Sequence, residues 1–155
     1  MNSIQLERRV RAVLPKSCNF LGVFARDEPP VIGARLTRFP VCWIANTDIA
    51  RSSGIHWVAF YCASQASYLE FFDSFALSPA YYSIPLQSRF RGLISVNHSQ
   101  LQSDSSDVCG LWCLYFIVMR AQCRFNTSKF SRSDFNFNDR LLRRILNRKV
   151  KAWKK

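Results

Sequence analysis

Apolar residues are plentiful in this chain, but no run of them will cross a bilayer: Leu111 to Met119 falls far short of the ~20 residues a spanning helix needs. No charged, apolar, small-residue leader opens it, so neither membrane contact nor a secretory route is expected. A disulfide scaffold is excluded by context, because the cysteines at 18, 42, 62, 109, 113 and 123 lie mostly in apolar segments such as Val41-Cys-Trp-Ile44 and read as reduced core residues. Structural zinc is excluded likewise: Cys109 and Cys113 are the one close pair, with no second pair to complete four ligands, so no metal site is expected. Histidine is scarce, only His56 and His98, and neither follows Cys109. Internal repeats and low-complexity segments are lacking.

Acid is short as well. Ten Asp and Glu face 22 Lys and Arg, giving a net charge of +12, and the imbalance is local. Residues 139–155 hold eight Lys or Arg against one Asp, so that segment alone carries +7. Such a charge implies an anionic partner, most simply nucleic acid.

What the chain does have is 48% hydrophobic content and four tryptophans in 155 residues, enough for one substantial core in a single domain. Residues 2–14 place Ile4, Leu6, Val10, Val13 and Leu14 near one face of a helix that Pro15 ends. Residues 19–32, with Gly22, Pro29 and Pro30, read as loop with a short strand, and 39–46 as strand before a turn at 51–54. Ile55 to Cys62 and Ser67 to Phe72 read as a hairpin; antiparallel pairing brings positions 56 and 73 together at its open end. Segment 78–88 is irregular or briefly helical, 93–96 a strand, 97–107 a polar loop. The helix from Val108 to about Cys123 is apolar on nearly every side and reads as the buried core helix. Asn136 or Asn138 caps a last amphipathic helix with Leu141, Leu142, Ile145, Leu146 and Val150 inward.

His56, Asp73, Gln102 and Cys109 occur in that order. A thiol attacks a carbonyl as thiolate, which a helix start and a neighbouring imidazolium both favour, and Cys109 is placed to have both. His56 would be the thiol's partner and later protonate the leaving amine, with Asp73 holding the ring. Gln102 offers an amide that, with the Cys109 N–H, binds an oxyanion. Taken singly each residue has an ordinary reading: a core cysteine, a strand-end histidine, a strand-ending acid, a solvated loop glutamine. Glu70 is a rival acid on the opposite strand face, and Gln100 points the same way as Gln102 in an extended segment. His98 reads as a surface residue. Cys18 precedes His56 in papain-like order, but its flanks Lys16-Ser17 and Asn19 do not resemble that nucleophile motif.

His56-Trp57 with an acid seventeen residues after the histidine, Gln102 seven residues before Cys109-Gly-Leu, Asp73-Ser-Phe, Asn19-Phe-Leu-Gly22 and Ile44-Ala-Asn-Thr47 together resemble adenain, the adenovirus-type endopeptidase, and its relatives, over residues 19–120. This spacing selects Gln102 over Gln100. The resemblance implies an α+β fold of the Ulp/adenain type, with a mostly antiparallel sheet packed against a buried nucleophile-bearing helix and flanking terminal helices. It also implies a monomeric cysteine endopeptidase of the host nucleus and virion. Its substrates would be viral precursor proteins cut at small, glycine-containing sites during virion maturation, in a narrow cleft lined by Trp57 and Gly110, the glycine leaving room for substrate backbone. DNA is then a sequence-independent activating cofactor, for which Arg140, Arg143, Arg144, Arg148, Lys149 and Lys151 of the basic C-terminal helix are the expected contacts. Two departures stand out. Asp73 replaces the family's usual glutamate, and Pro85 to Ser106 holds no cysteine to bind an activating peptide covalently, leaving a noncovalent viral peptide as the activator.

Two other readings compete. A protease that removes ubiquitin-like modifiers shares the residue order, but usually has one residue fewer between Gln and Cys and a larger domain. A basic DNA-binding protein with an inert site is at odds with the 48% hydrophobic content. The arginines also fit a nuclear-import signal.

Overall fold

Asn2 opens the first helix with a reciprocal cap: its side chain accepts from the Gln5 N–H at 2.9 Å, and Gln5 Oε1 accepts from the Asn2 N–H at 3.3 Å. The computed structural model describes residues 1–31, 38–50, 56–86 and 90–153, the last five as helix backbone alone. Helix α1 runs Ser3–Val13 and ends where Leu14, ahead of Pro15, turns extended. It buries Leu6 and Val10, with Val13 and Leu14 packed beside them; Ile4, expected on the same face, is 80% exposed.

Five strands follow, β1 (Asn19–Phe24), β2 (Val41–Asn46), β3 (Trp57–Cys62), β4 (Leu69–Phe72) and β5 (Ile94–Val96), in the spatial order β1-β2-β3-β4-β5. The expected hairpin is β3 against β4, with Ala59 opposite Phe72 and Cys62 opposite Leu69. The sheet, however, is mixed rather than mostly antiparallel. Long connections return the chain to both edges in parallel, β1 beside β2 and β5 beside β4. The short strand expected within 19–32 is β1, whose register slips between Phe20 and Val23, where Gly22 takes φ 135°.

Every residue of β3 and nearly all of β2 is buried because both sheet faces are covered, which is why these strands read as continuous apolar runs. On one face Cys42, Ile44, Ala59, Tyr61 and Phe72 meet helix α2 (Cys109–Ala121), which lies buried over nearly its whole circumference. Phe72 stacks on Phe116 at 4.7 Å, a contact worth ~1 kcal/mol beyond its burial. On the other face Trp43, Phe60 and Phe71 lie beneath Tyr82, Ile84, Leu86 and Phe90. Helix α3 (Phe135–Trp153) docks through Leu142 and Leu146, with Leu141 and Ile145 partly buried. Its cap is Asp134, whose carboxylate accepts from the Phe137 N–H at 2.8 Å, rather than Asn136 or Asn138. Asn136 lies within the first turn, and Asn138 is buried inside the helix. The expected turn at 51–54 and the placement of the Lys149, Val150 and Lys151 side chains lie outside the described residues.

Candidate active site

The β3–β4 pairing carries the chain on each side to one spot. His56 immediately precedes β3, Asp73 immediately follows β4, and His56 Nε2 lies 2.6 Å from Asp73 Oδ1. Both are buried, at 6% and 0% exposure, so this is not a solvent-screened surface pair. Nε2 is engaged by the carboxylate, and Cys109, at the start of α2, is near enough to the ring to influence its protonation. Burial alone pushes the imidazole down. The hydrogen bonds and charges of Asp73 and Cys109 outweigh it, and His56 is raised to about 9. The ring therefore holds its proton through neutral pH beside the sulfur, the setting a thiolate nucleophile uses.

Asp73 is saturated with donors. Oδ1 accepts from His56 and from the Phe75 N–H at 3.1 Å; Oδ2 accepts from the Leu77 N–H and the Tyr82 hydroxyl, both at 2.9 Å. Tyr82 is shifted upward by burial and by the neighbouring carboxylate, so it remains a donor. The rings of Phe75 and Tyr82 flank the imidazole at 4.8 and 5.7 Å and complete its dry surroundings. Asn97 closes the other side of Asp73, accepting from its N–H at 2.9 Å and donating to its carbonyl at 2.7 Å. Glu70, the rival acid, instead pairs with Arg120 near the far end of α2.

Cys109 is the first residue of α2, and Val108 ahead of it makes no side-chain capping bond. The first N–H groups of a helix have no intrahelical acceptor and point toward whatever lies at its start. Gly110 does not open onto free space, contrary to the expectation of room for a substrate backbone: a Cβ there would lie 2.5 Å from Met1 Cε and 3.5 Å from Leu6 Cδ2 and Trp57 Cδ1. The glycine instead lets α1, α2 and β3 approach closely, and Trp57 is buried against them.

Gln102 is 1% exposed and fixed in orientation. Its Oε1 accepts from Ser74 Oγ at 2.7 Å and its Nε2 donates to the Ser106 carbonyl at 2.8 Å, which leaves a second N–H on the same nitrogen. Gln100 spends its amide on the Gln102 carbonyl and on Asp104, at 2.9 and 2.8 Å. His98 is exposed.

Several positioning residues escape a reading of the sequence. Ser74, beside Asp73, accepts from the Leu101 and Gln102 N–H groups at 2.8 and 3.1 Å, tying the two loops together. From α3, Asn138 donates to the Leu101 carbonyl at 3.0 Å and Asp139 accepts from the Ser103 N–H at 3.1 Å, so one helical turn grips both neighbours of Gln102. A signal for Asp139 exists in hindsight: positions 139, 142 and 146 share one face of α3, which makes this acid inward-facing.

The sequence matches no protein-family model and no curated protein. Function must therefore be argued from this geometry. Arg140, Arg143, Arg144 and Arg148 are exposed on α3, away from its docked face. Arg143 reaches Asp107 at 3.4 Å, a solvent-screened pair of little energetic weight. Among the described residues no group of three or more His, Cys, Asp or Glu is arranged to hold a metal ion, and no helix is long and apolar enough to cross a membrane.

Proposed function

We propose that this chain is a viral, adenain-like cysteine endopeptidase, a single domain of the Ulp/adenain type acting as a monomer in the host nucleus and virion. The observation that carries the reading is the buried His56–Asp73 pair, 2.6 Å apart, whose imidazole is also raised by Cys109, the residue that begins a buried helix.

In this reading Cys109 Sγ attacks the scissile carbonyl, the carbon–nitrogen bond breaks, and His56 gives its proton to the departing amine. Water then attacks the thioester with His56 as base. Asp73 keeps Nε2 occupied and stabilises the imidazolium, and Tyr82 with the two loop N–H groups keeps the carboxylate in place. The unspent N–H of Gln102, together with the Cys109 N–H, meets the oxyanion of the tetrahedral intermediate. The proposed substrates are viral precursor proteins cut at small, glycine-containing sites. The exposed arginines of α3, with Lys149 and Lys151, support DNA as a sequence-independent activator. A noncovalent viral peptide is the second activator.

Cleavage of a peptide library by the full chain, with and without duplex DNA, tests this. Turnover at small-residue sites that disappears in Cys109→Ala supports the endopeptidase; cleavage confined to a modifier fused through its Gly-Gly end makes it a deconjugating protease. A folded chain that cleaves neither, and whose Cys109 ignores a thiol-directed probe, is a DNA-binding protein with an inert site.

A further inference from the structure

Cys18 and Cys42 stand apart from the catalytic cluster, Cys18 in the connection between α1 and β1 and Cys42 within β2. Their sulfurs are 3.6 Å apart. The two thiols are not equivalent. Cys42 is wholly buried, whereas Cys18 lines a cavity of about 240 Å³ between the end of α1 and the start of β1. Lys16 and Arg38 bring positive charge to that cavity, Arg11 joins them while paired with Glu7 at 2.8 Å, and no described lining residue is acidic. The arginines are held in place: Arg38 donates to the Lys16 carbonyl at 2.5 Å, and Arg11 lies 5.1 Å over the Phe20 ring.

We propose that Cys18 and Cys42 form a redox-active dithiol that exchanges with small anionic disulfides, of which oxidised glutathione is the model, entering through this cationic cavity. The Cys18 thiolate, its proton released to solvent, attacks one sulfur of the reagent. The reagent's sulfur–sulfur bond breaks, and the departing thiolate takes up a proton. Cys42 then loses its proton, attacks Cys18 Sγ and expels the second small thiol. Two protein thiols are oxidised by two electrons while one disulfide is reduced to two thiols, and the sequence runs backward in excess thiol.

Three features support this division of labour. The sulfurs must close from 3.6 Å to about 2.05 Å, and Cys18 sits in a turn ahead of β1 where the backbone can supply the movement. The hydrogen bond shared with Cys42, with the Arg38 guanidinium nearby, holds Cys18 below the ordinary thiol range against the opposing effect of burial, while that bond and burial push Cys42 up. Outside the candidate active site, where Cys109 lies, the other three cysteines lack this combination: Cys113 is buried and pushed upward by that burial, Cys62 donates to the Ser64 carbonyl, and Cys123 is exposed.

The reduced full chain, incubated at neutral pH with oxidised glutathione, alkylated and mapped by peptide mass spectrometry, tests the assignment. The expected product is a Cys18–Cys42 cross-link. Cys42→Ala should stop the exchange at a glutathionyl adduct on Cys18, and the wild-type map stands without it if that variant does not fold. Replacing the reagent by the cationic disulfide cystamine should slow the reaction on the order of tenfold, a preference lost in Lys16→Gln with Arg38→Gln. Modification confined to Cys109 or Cys123, with Cys18 and Cys42 still alkylated, overturns the dithiol. Equal rates for the two reagents overturn the anionic class. None of these readings depends on proteolysis.

Discussion

Asp139, the single acid among the arginines that close the chain, accepts a hydrogen bond from the indole N–H of Trp112 at 3.0 Å. Trp112 lies one turn after Cys109, and the other carboxylate oxygen of Asp139 takes the Ser103 N–H beside Gln102. The basic helix is thus joined by one side chain both to the helix that carries the thiol and to the loop that carries the amide. Asp139→Asn should lower kcat by roughly tenfold with little change in KM while cutting DNA stimulation, because orientation suffers before binding does. Steady-state kinetics with and without DNA check this, and a uniform loss of soluble protein instead would make the residue purely structural.

Cys109→Ser should remove roughly 10³-fold or more of the peptide hydrolysis with the fold intact, since a hydroxyl is a far weaker nucleophile than a thiol. Activity within tenfold of wild type in a steady-state assay would sink the nucleophile assignment.

Asp73→Asn should cost less activity than His56→Ala, because the acid only orients and stabilises the imidazole. It should nevertheless lower stability, by about 1–3 kcal/mol, since the Phe75 and Leu77 N–H groups and the Tyr82 hydroxyl all converge on that carboxylate. Urea unfolding measured beside the kinetics separates the two effects.

His56 is raised to about 9 from an ordinary 6.5, so its contribution to stability is fully present below about 6.5 and is lost as pH rises through 9. Over that window the wild type should lose on the order of 3 kcal/mol relative to His56→Gln. Parallel pH profiles of the two proteins would count against the buried pair.

Gln102→Ala should reduce kcat by roughly 10²-fold with KM little changed, the cost of one oxyanion donor, whereas Gln100→Ala should do little. Reversed effects would move the donor to position 100.

Duplexes of unrelated sequence should bind alike, with log affinity falling linearly in log salt. Neutralising Arg140, Arg144 and Arg148 should flatten the slope by about 2–3, near 0.9 per phosphate contact. A salt-independent wild type would remove DNA from the mechanism.

The hairpin and its meeting of His56 with Asp73 were legible in the sequence because both rest on neighbouring segments: aromatic and β-branched runs pair across a short turn, and pairing fixes what lies at the open end. The start of α2 was legible from the change between polar loop and apolar run. What escaped depends on distant partners. Tyr82, Ser74, Asn97 and Asn138 are ordinary polar residues locally and acquire their roles only when loops from separate connections converge. The parallel edges escaped for the same reason, since a crossover leaves no mark in the strands it joins, and Asp139 was hidden among charges that counted as surface.

Glu70 and Arg120 pair at the opposite end of α2 from Cys109, with the arginine also resting 5.5 Å over the Tyr61 ring. Eleven helical steps, about 16 Å, lead from Cys109 to Arg120. Glu70 belongs to β4, the strand that leads directly into Asp73. Helix and strand are therefore fastened at their far ends and carry Cys109 and Asp73 at their near ones, like the two arms of a caliper. One ion pair thus ties the helix that begins at Cys109 to the strand that runs into Asp73, at a point remote from both residues.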